Sequence, residues 1–298
     1  MSISRLIPAL LMVLLALSSG VGSAHASPLP KIEPGLSSST ATATSTSNPT
    51  YASSTTAADG QPGRILFVVA SSKVHGESTL PASVSFGEVV NAWDTFQAAG
   101  HPVDFVSPDG GAVPILDTYV SQDMAPRLQD SRVMSGLRNT MSPDQVDPGR
   151  YRAVYYVGGS NAMYGVAEDR RLQDIATHVY ERNTGVISAV CHGTAGIVNL
   201  RLSSGQSLLA GKRITGFPEE HEDQTASYFK QFPFLIGKTV QERGGTFRAI
   251  DSEAPYLEID GRVMTGQNYA SAAPLAQAVV DLLRTQPGAA SAGSSASD

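Results

Sequence analysis

Cysteine is nearly absent: Cys191 stands alone in 298 residues, so no intrachain disulfide and no cysteine-rich zinc site can form. The six histidines show no HxxxH or HxH spacing, and no metal site is expected. Positive charge is also sparse. Lys plus Arg is 21 against 27 Asp plus Glu, a formal net charge of −6, which argues against a nucleic-acid binder with its basic patch. No apolar run reaches the roughly 20 residues that a membrane-spanning helix needs. Apolar residues make up 41% and charged residues 16%, as in a soluble globular fold.

Both ends are unlike the rest. Met1–Ala26 reads as a secretory signal: Arg5 supplies the positive start, Leu6–Leu17 is an uncharged apolar run, and Ala24-His25-Ala26 has the form that signal peptidase accepts. Without a cysteine near that point a lipoprotein is excluded. The expectation is an exported chain, periplasmic or secreted, beginning at Ser27 and free of the membrane after cleavage. Residues 27–62 form a low-complexity leader in which 19 of the 22 residues from Ser37 to Ala58 are Ser, Thr or Ala. So little apolar surface cannot offset the entropy of ordering, and the leader is expected to be dispensable for fold and chemistry. Residues 287–298 read as a similar tail. Residues 63–286 remain as one domain with room for a single core.

In that domain, continuous β-branched and aromatic runs alternate with helical stripes. Arg64–Ser71, Val103–Ser107, Ala153–Val157 and Val186–Val190 read as strands buried on both faces. Phe86, Val89, Val90, Trp93 and Phe96 share one helical face that ends before Gly100. Arg170–Asn183, Thr194–Leu200 and Ser271–Thr285 read as further helices. Ile214–Phe217, Thr246–Arg248, Tyr256–Ile259 and Val263–Thr265 are shorter strand candidates. The alternation predicts an α/β fold, a doubly wound and mostly parallel sheet between helical layers.

Ligands of such sheets bind at the carboxyl ends of the strands. One end runs into Gly158-Gly159-Ser160-Asn161 and the next into Cys191-His192-Gly193. The Gly-Gly pair lacks the GxGxxG spacing of a dinucleotide site. Most free cysteines are small buried hydrophobes. Cys191, however, ends a buried strand, precedes a helix and is followed by histidine, the setting of a nucleophile whose thiol pKa a helix N-terminus lowers. The following backbone N–H groups then form half of an oxyanion hole. Gly158, Gly159 and Ser160 are candidates for the other half and for substrate contact.

Ala189–Gly196 (AVCHGTAG) resembles the nucleophile elbow of the ThiJ/PfpI superfamily, whose fold is related to class I glutamine amidotransferases and flavodoxin-like. Phe86–Val89 (FGEV), Tyr156–Gly159 (YVGG), Lys212–Phe217 (KRITGF) and Thr265–Ala270 (TGQNYA) are similar to one branch, the glutathione-independent glyoxalase (glyoxalase III) and heat-shock chaperone proteins. The resemblance implies Cys191 as nucleophile and His192 as its proton-transfer partner. It also implies Glu88 as a protonated carboxyl beside the sulfur and Glu222 as the acid that orients the histidine. Glu219, Glu220 and Asp223 crowd the same loop, and a solvated turn is the plain alternative for all four. Ser160 and Asn161 stand where that branch commonly carries a histidine, and Thr194 where proline or alanine is more usual.

The implied activity is cofactor-independent conversion of a small aldehyde or dicarbonyl, methylglyoxal to D-lactate, in a stress or detoxification role. A cysteine peptidase or amidase, and a non-catalytic chaperone or redox sensor, are the alternatives. No organic cofactor is implied, and a homodimer stays open.

Overall fold

A computed structural model describes residues 63–286; the expected signal, leader and tail lie outside them. The order is β1 (Arg64–Val68), α1 (Phe86–Ala98), β2 (Val103–Val106), α2 (Ser131–Arg138), β3 (Tyr151–Tyr156), α3 (Arg170–Glu181), β4 (Val186–Val190), β5 (Arg213–Ile214), α4 (Ile236–Glu242), β6 (Thr246–Phe247), β7 (Leu257–Asp260), β8 (Val263–Gly266) and α5 (Ala272–Thr285), with short 3-10 turns between them.

Six strands form one sheet in the order β2-β1-β3-β4-β8-β7. All neighbours are parallel except β7, which runs antiparallel to β8 on one edge. β5 and β6 form a separate parallel pair. The expected doubly wound α/β sheet is therefore the architecture observed.

Strand alternation builds two cores. Ile65 and Phe67 of β1 face one side with Val89 and Phe96 of α1, Tyr155 of β3, and Leu275 and Val279 of α5. Leu66 and Val68 face the other with Val154 and Tyr156 of β3 and Leu172, Ile175 and Val179 of α3. Phe67 anchors the first core, stacked on Tyr155 at 5.0 Å between ring centroids and edge-on to Phe96 and Phe105. α3 begins where the Asp169 carboxylate accepts from the N–H groups of Arg171 and Leu172, satisfying two donors that a helix start leaves open.

The chain leaves β1 for β2 on one side and returns to β3 on the other. Such a reversal opens a crevice at the carboxyl ends of the strands, the ends from which Gly158 and Cys191 project. α1 is pinned there by its start: the Ser85 N–H donates to the Gly158 carbonyl at 3.0 Å. No helix among the described residues is long and apolar enough to cross a membrane.

Candidate active site

β4 ends at Val190 and the next residue turns sharply. Cys191 has φ +56°, a left-handed backbone that a residue with a Cβ adopts only when its surroundings hold it there. Its carbonyl accepts the Phe217 N–H at 3.2 Å. Gly193 and Gly196 press so close to Tyr156 that a Cβ on either would collide with it. The expected α-helix after the elbow is instead a 3-10 turn over Cys191–Ile197. The glycines that let it pack against β3 are poor helix formers.

Glu88 in the first turn of α1 is buried, 1% exposed. Its Oε2 accepts the Gly158 N–H at 3.0 Å, and Cys191 and Ser85 lie beside its carboxyl. Burial pushes its pKa up to about 8, against the pull of those three partners. Burial also pushes the Cys191 thiol well above its ordinary value. A charge on Glu88 raises it further, and the His192 backbone N–H opposes both.

A helix-induced lowering of the thiol pKa, expected from sequence, is thus not what the site provides: no α-helix begins here, and burial dominates. What the site provides is a coupled pair that holds at most one negative charge near neutral pH. With the proton on Glu88, the sulfur escapes the repulsion and can accept a hydrogen bond from the acid.

His192 lies on the other side of the sulfur. Its Nδ1 is 3.5 Å from Cys191 Sγ, and its Nε2 is 2.6 Å from Glu222 Oε1. A neutral imidazole that donates from Nε2 to a carboxylate presents Nδ1 as an acceptor, the tautomer able to take the thiol proton. The Tyr228 hydroxyl donates to the second Glu222 oxygen at 2.9 Å, and Phe217 stacks on the imidazole at 4.8 Å.

The acidic loop is therefore sorted by contact. Glu222 reaches the histidine, Glu219 accepts the Gly237 N–H, and Asp223 accepts from Thr225. Tyr228 was not foreseen; six residues beyond Glu222 in an irregular segment, it carries no periodic signal.

Gly158 cannot serve as an oxyanion donor, because its N–H is already given to Glu88. Its place in the site is steric. A Cβ there would run into Glu88 Oε2 and lie 2.8 Å from the Cys191 Cβ. Gly159 has φ +106° and packs against the backbone of Ser83 and Ser85. Its N–H has no hydrogen-bond acceptor among the described residues. The Ser160 hydroxyl is 3.3 Å from Nε2 of His75, a buried histidine that sequence reasoning passed over because 85 residues separate the two. No group of three or more His, Cys, Asp or Glu side chains able to hold a metal ion occurs among the described residues.

Comparison with known proteins finds relatives named as glyoxalases. The chain is 30% identical over 207 residues to "Glyoxalase 3" of Candida albicans, covering 65% of this chain and 86% of that protein. It is 29% identical over 212 residues to "Glutathione-independent glyoxalase HSP31" of Saccharomyces cerevisiae, covering 66% and 87%. The crystal structure of glyoxalase III from Candida albicans superposes with a TM-score of 0.66 at 26% identity, over 74% of this chain and 96% of that one. The model of the DJ-1/PfpI family matches residues 82–282, a span that includes Glu88, the Gly-Gly turn, the cysteine elbow and Glu222. The chain belongs to the DJ-1/PfpI family.

Proposed function

We propose that this chain is a glutathione-independent glyoxalase, a cofactor-independent cysteine enzyme that turns 2-oxoaldehydes such as methylglyoxal into 2-hydroxy acids, D-lactate in that case. The observation that carries the reading is the pair of partners around one sulfur. On one side is a buried carboxyl that stays protonated to about pH 8. On the other is an imidazole whose Nε2 is held 2.6 Å from a carboxylate. The names of the similar proteins support the same class of substrate.

The reaction needs a nucleophile, a proton carrier and oxyanion donors. Cys191 gives its proton to His192 Nδ1, and the sulfur adds to the aldehyde carbon, forming a hemithioacetal. The Gly159 N–H and the backbone beyond Cys191 receive the new oxygen. His192 passes the thiol proton to that oxygen, completing the hemithioacetal, and, neutral again, removes the hydrogen of that carbon as a proton, giving an enediol, and returns it to the neighbouring carbon. The product on sulfur is a thioester of lactate. Water then adds to it, the C–S bond breaks, and lactate leaves as the thiol regains its proton. Methylglyoxal plus water becomes lactic acid, with no net oxidation.

Cys191 is only 7% exposed, and aromatic side chains, Phe217, Phe229 and Phe232, line the small cavity beside His192. A sulfur so little exposed suits a small aldehyde better than an extended peptide, which favours this reading over a peptidase. The N-terminal signal adds export to the periplasm or medium as part of the proposal. The test is D-lactate formation from methylglyoxal in glutathione-free buffer. Lactate at a catalytic rate is expected; cleavage of peptide or amide substrates without lactate would replace the reading.

A further inference from the structure

A second imidazole faces the site. His75, on the segment between β1 and α1, is 4% exposed, yet each ring nitrogen meets a hydroxyl. Nε2 is 3.3 Å from Ser160 Oγ, and Nδ1 is 3.2 Å from the Tyr164 hydroxyl. The ring lies 5.4 Å from that of Tyr228 and 6.3 Å from Phe232, and Phe232 is itself 5.7 Å from the His192 ring. His75 and His192 thus flank the same phenylalanine, Phe232. Ser160 stands two residues beyond Gly158, the position packed against Cys191 and Glu88.

Burial first, and His192 second, hold the His75 pKa below its ordinary value, so the ring is neutral near pH 7. A neutral imidazole has one donor and one acceptor nitrogen. Burial and the Glu222 charge keep the Tyr164 phenol protonated, with its pKa at about 12. Tyr164 can therefore donate to Nδ1, leaving Nε2–H to donate to Ser160. In that order the Ser160 oxygen is occupied as an acceptor, and its own proton is free to be donated.

We propose that Ser160, oriented through His75 by Tyr164, donates this hydrogen bond to the second oxygen of a 2-oxoaldehyde, the one on the carbon next to the aldehyde. His75 and Tyr164 are then positioning residues that let the site select dicarbonyls over simple aldehydes. The inference rests on the glyoxalase reading. During the enediol step negative charge spreads onto that second oxygen, where a fixed donor is worth most. A simple aldehyde can still form a hemithioacetal with Cys191 but offers Ser160 nothing.

Iodoacetamide alkylation of Cys191 in the full chain reads occupancy of the sulfur without requiring turnover. Methylglyoxal and propanal are titrated as protectants of wild type, Ser160→Ala, His75→Phe, Tyr164→Phe and the Ser160→Ala/His75→Phe double variant, alongside kcat and KM for lactate formation. Ser160→Ala, at a partly exposed position, is expected to need about tenfold more methylglyoxal for the same protection, a change of about 1.4 kcal/mol. Propanal protection should stay within about twofold. His75→Phe and Tyr164→Phe should move in the same direction, and the double variant should be no worse than Ser160→Ala alone.

Unchanged methylglyoxal protection in Ser160→Ala, equal loss for both aldehydes, or additive losses in the double variant would each overturn the proposal. A wild-type chain that forms no lactate but shows the selective loss in Ser160→Ala would remove the glyoxalase reading and leave the recognition arm standing.

Discussion

Glu88 is protonated in the folded chain up to about pH 8, whereas the same side chain ionises near 4.5 when freely solvated. Between those values the native state binds more protons than the unfolded one. Stability from this group is therefore complete below about pH 4.5 and is lost as pH rises through about 8. Glu88→Gln is isosteric and has nothing to ionise, so its stability should decline less than that of wild type across this window, as denaturant midpoints at a series of pH values will reveal.

The same substitution separates two roles at the sulfur. Gln keeps a donor to Cys191 but cannot carry a proton; Ala removes both. Since His192 moves the protons of the proposed mechanism, Gln should keep most of the methylglyoxal turnover, whereas Ala should lose most of it and clearly raise the pKa for Cys191 alkylation, a hydrogen bond to a charged group being worth roughly 1.5–3 kcal/mol. Loss of turnover in Glu88→Gln would instead give Glu88 a proton-transfer role. Cys191 was readable from sequence because it ends a buried apolar strand and is followed by histidine and glycine. Glu222 was readable only as one of four neighbouring acids. His75, Tyr164 and Tyr228 were not readable, because contacts across tens of residues leave no local pattern.

At the level of elements, strand periodicity predicted most of the sheet. β4 runs from Val186 to Val190 as expected, and β1, β2 and β3 differ only at their ends. α2 and α4, of eight and seven residues, escaped notice. α4 has a glycine in its first turn, and neither helix completes enough turns for a stripe to stand out. The α-helix expected over Thr194–Leu200 is a 3-10 turn over Cys191–Ile197. The close approach of Gly193 and Gly196 to Tyr156 decides this.

Phe67 tests how far the site depends on the sheet beneath it. It is fully buried at the meeting point of β1, β2, β3 and α1, and Phe67→Ala should cost about 3–5 kcal/mol in chemical denaturation. Asp169→Ala at the start of α3 should cost only about 1 kcal/mol and leave turnover unchanged, because α3 contributes no side chain to the site.

For the whole molecule, the order of the strands places the chemistry. The chain reverses direction across the sheet between β1 and β3, and the crevice so formed brings together Glu88 from α1, Gly159 and Ser160 after β3, and Cys191 after β4. Glu222 closes it from a loop outside the main sheet. Export is tested by sequencing the N-terminus of the protein recovered outside the cytoplasm: Ser27 is expected as the first residue, and an intact Met1 would count against it. The central claim is that dicarbonyl conversion passes through a bond between the substrate and Cys191. Mass spectrometry of the chain quenched during methylglyoxal turnover, with lactate measured in parallel for Cys191→Ala, addresses it directly. The account predicts an adduct of one methylglyoxal on the peptide carrying Cys191 and loss of lactate formation in the variant; lactate formed by Cys191→Ala at the wild-type rate would contradict it.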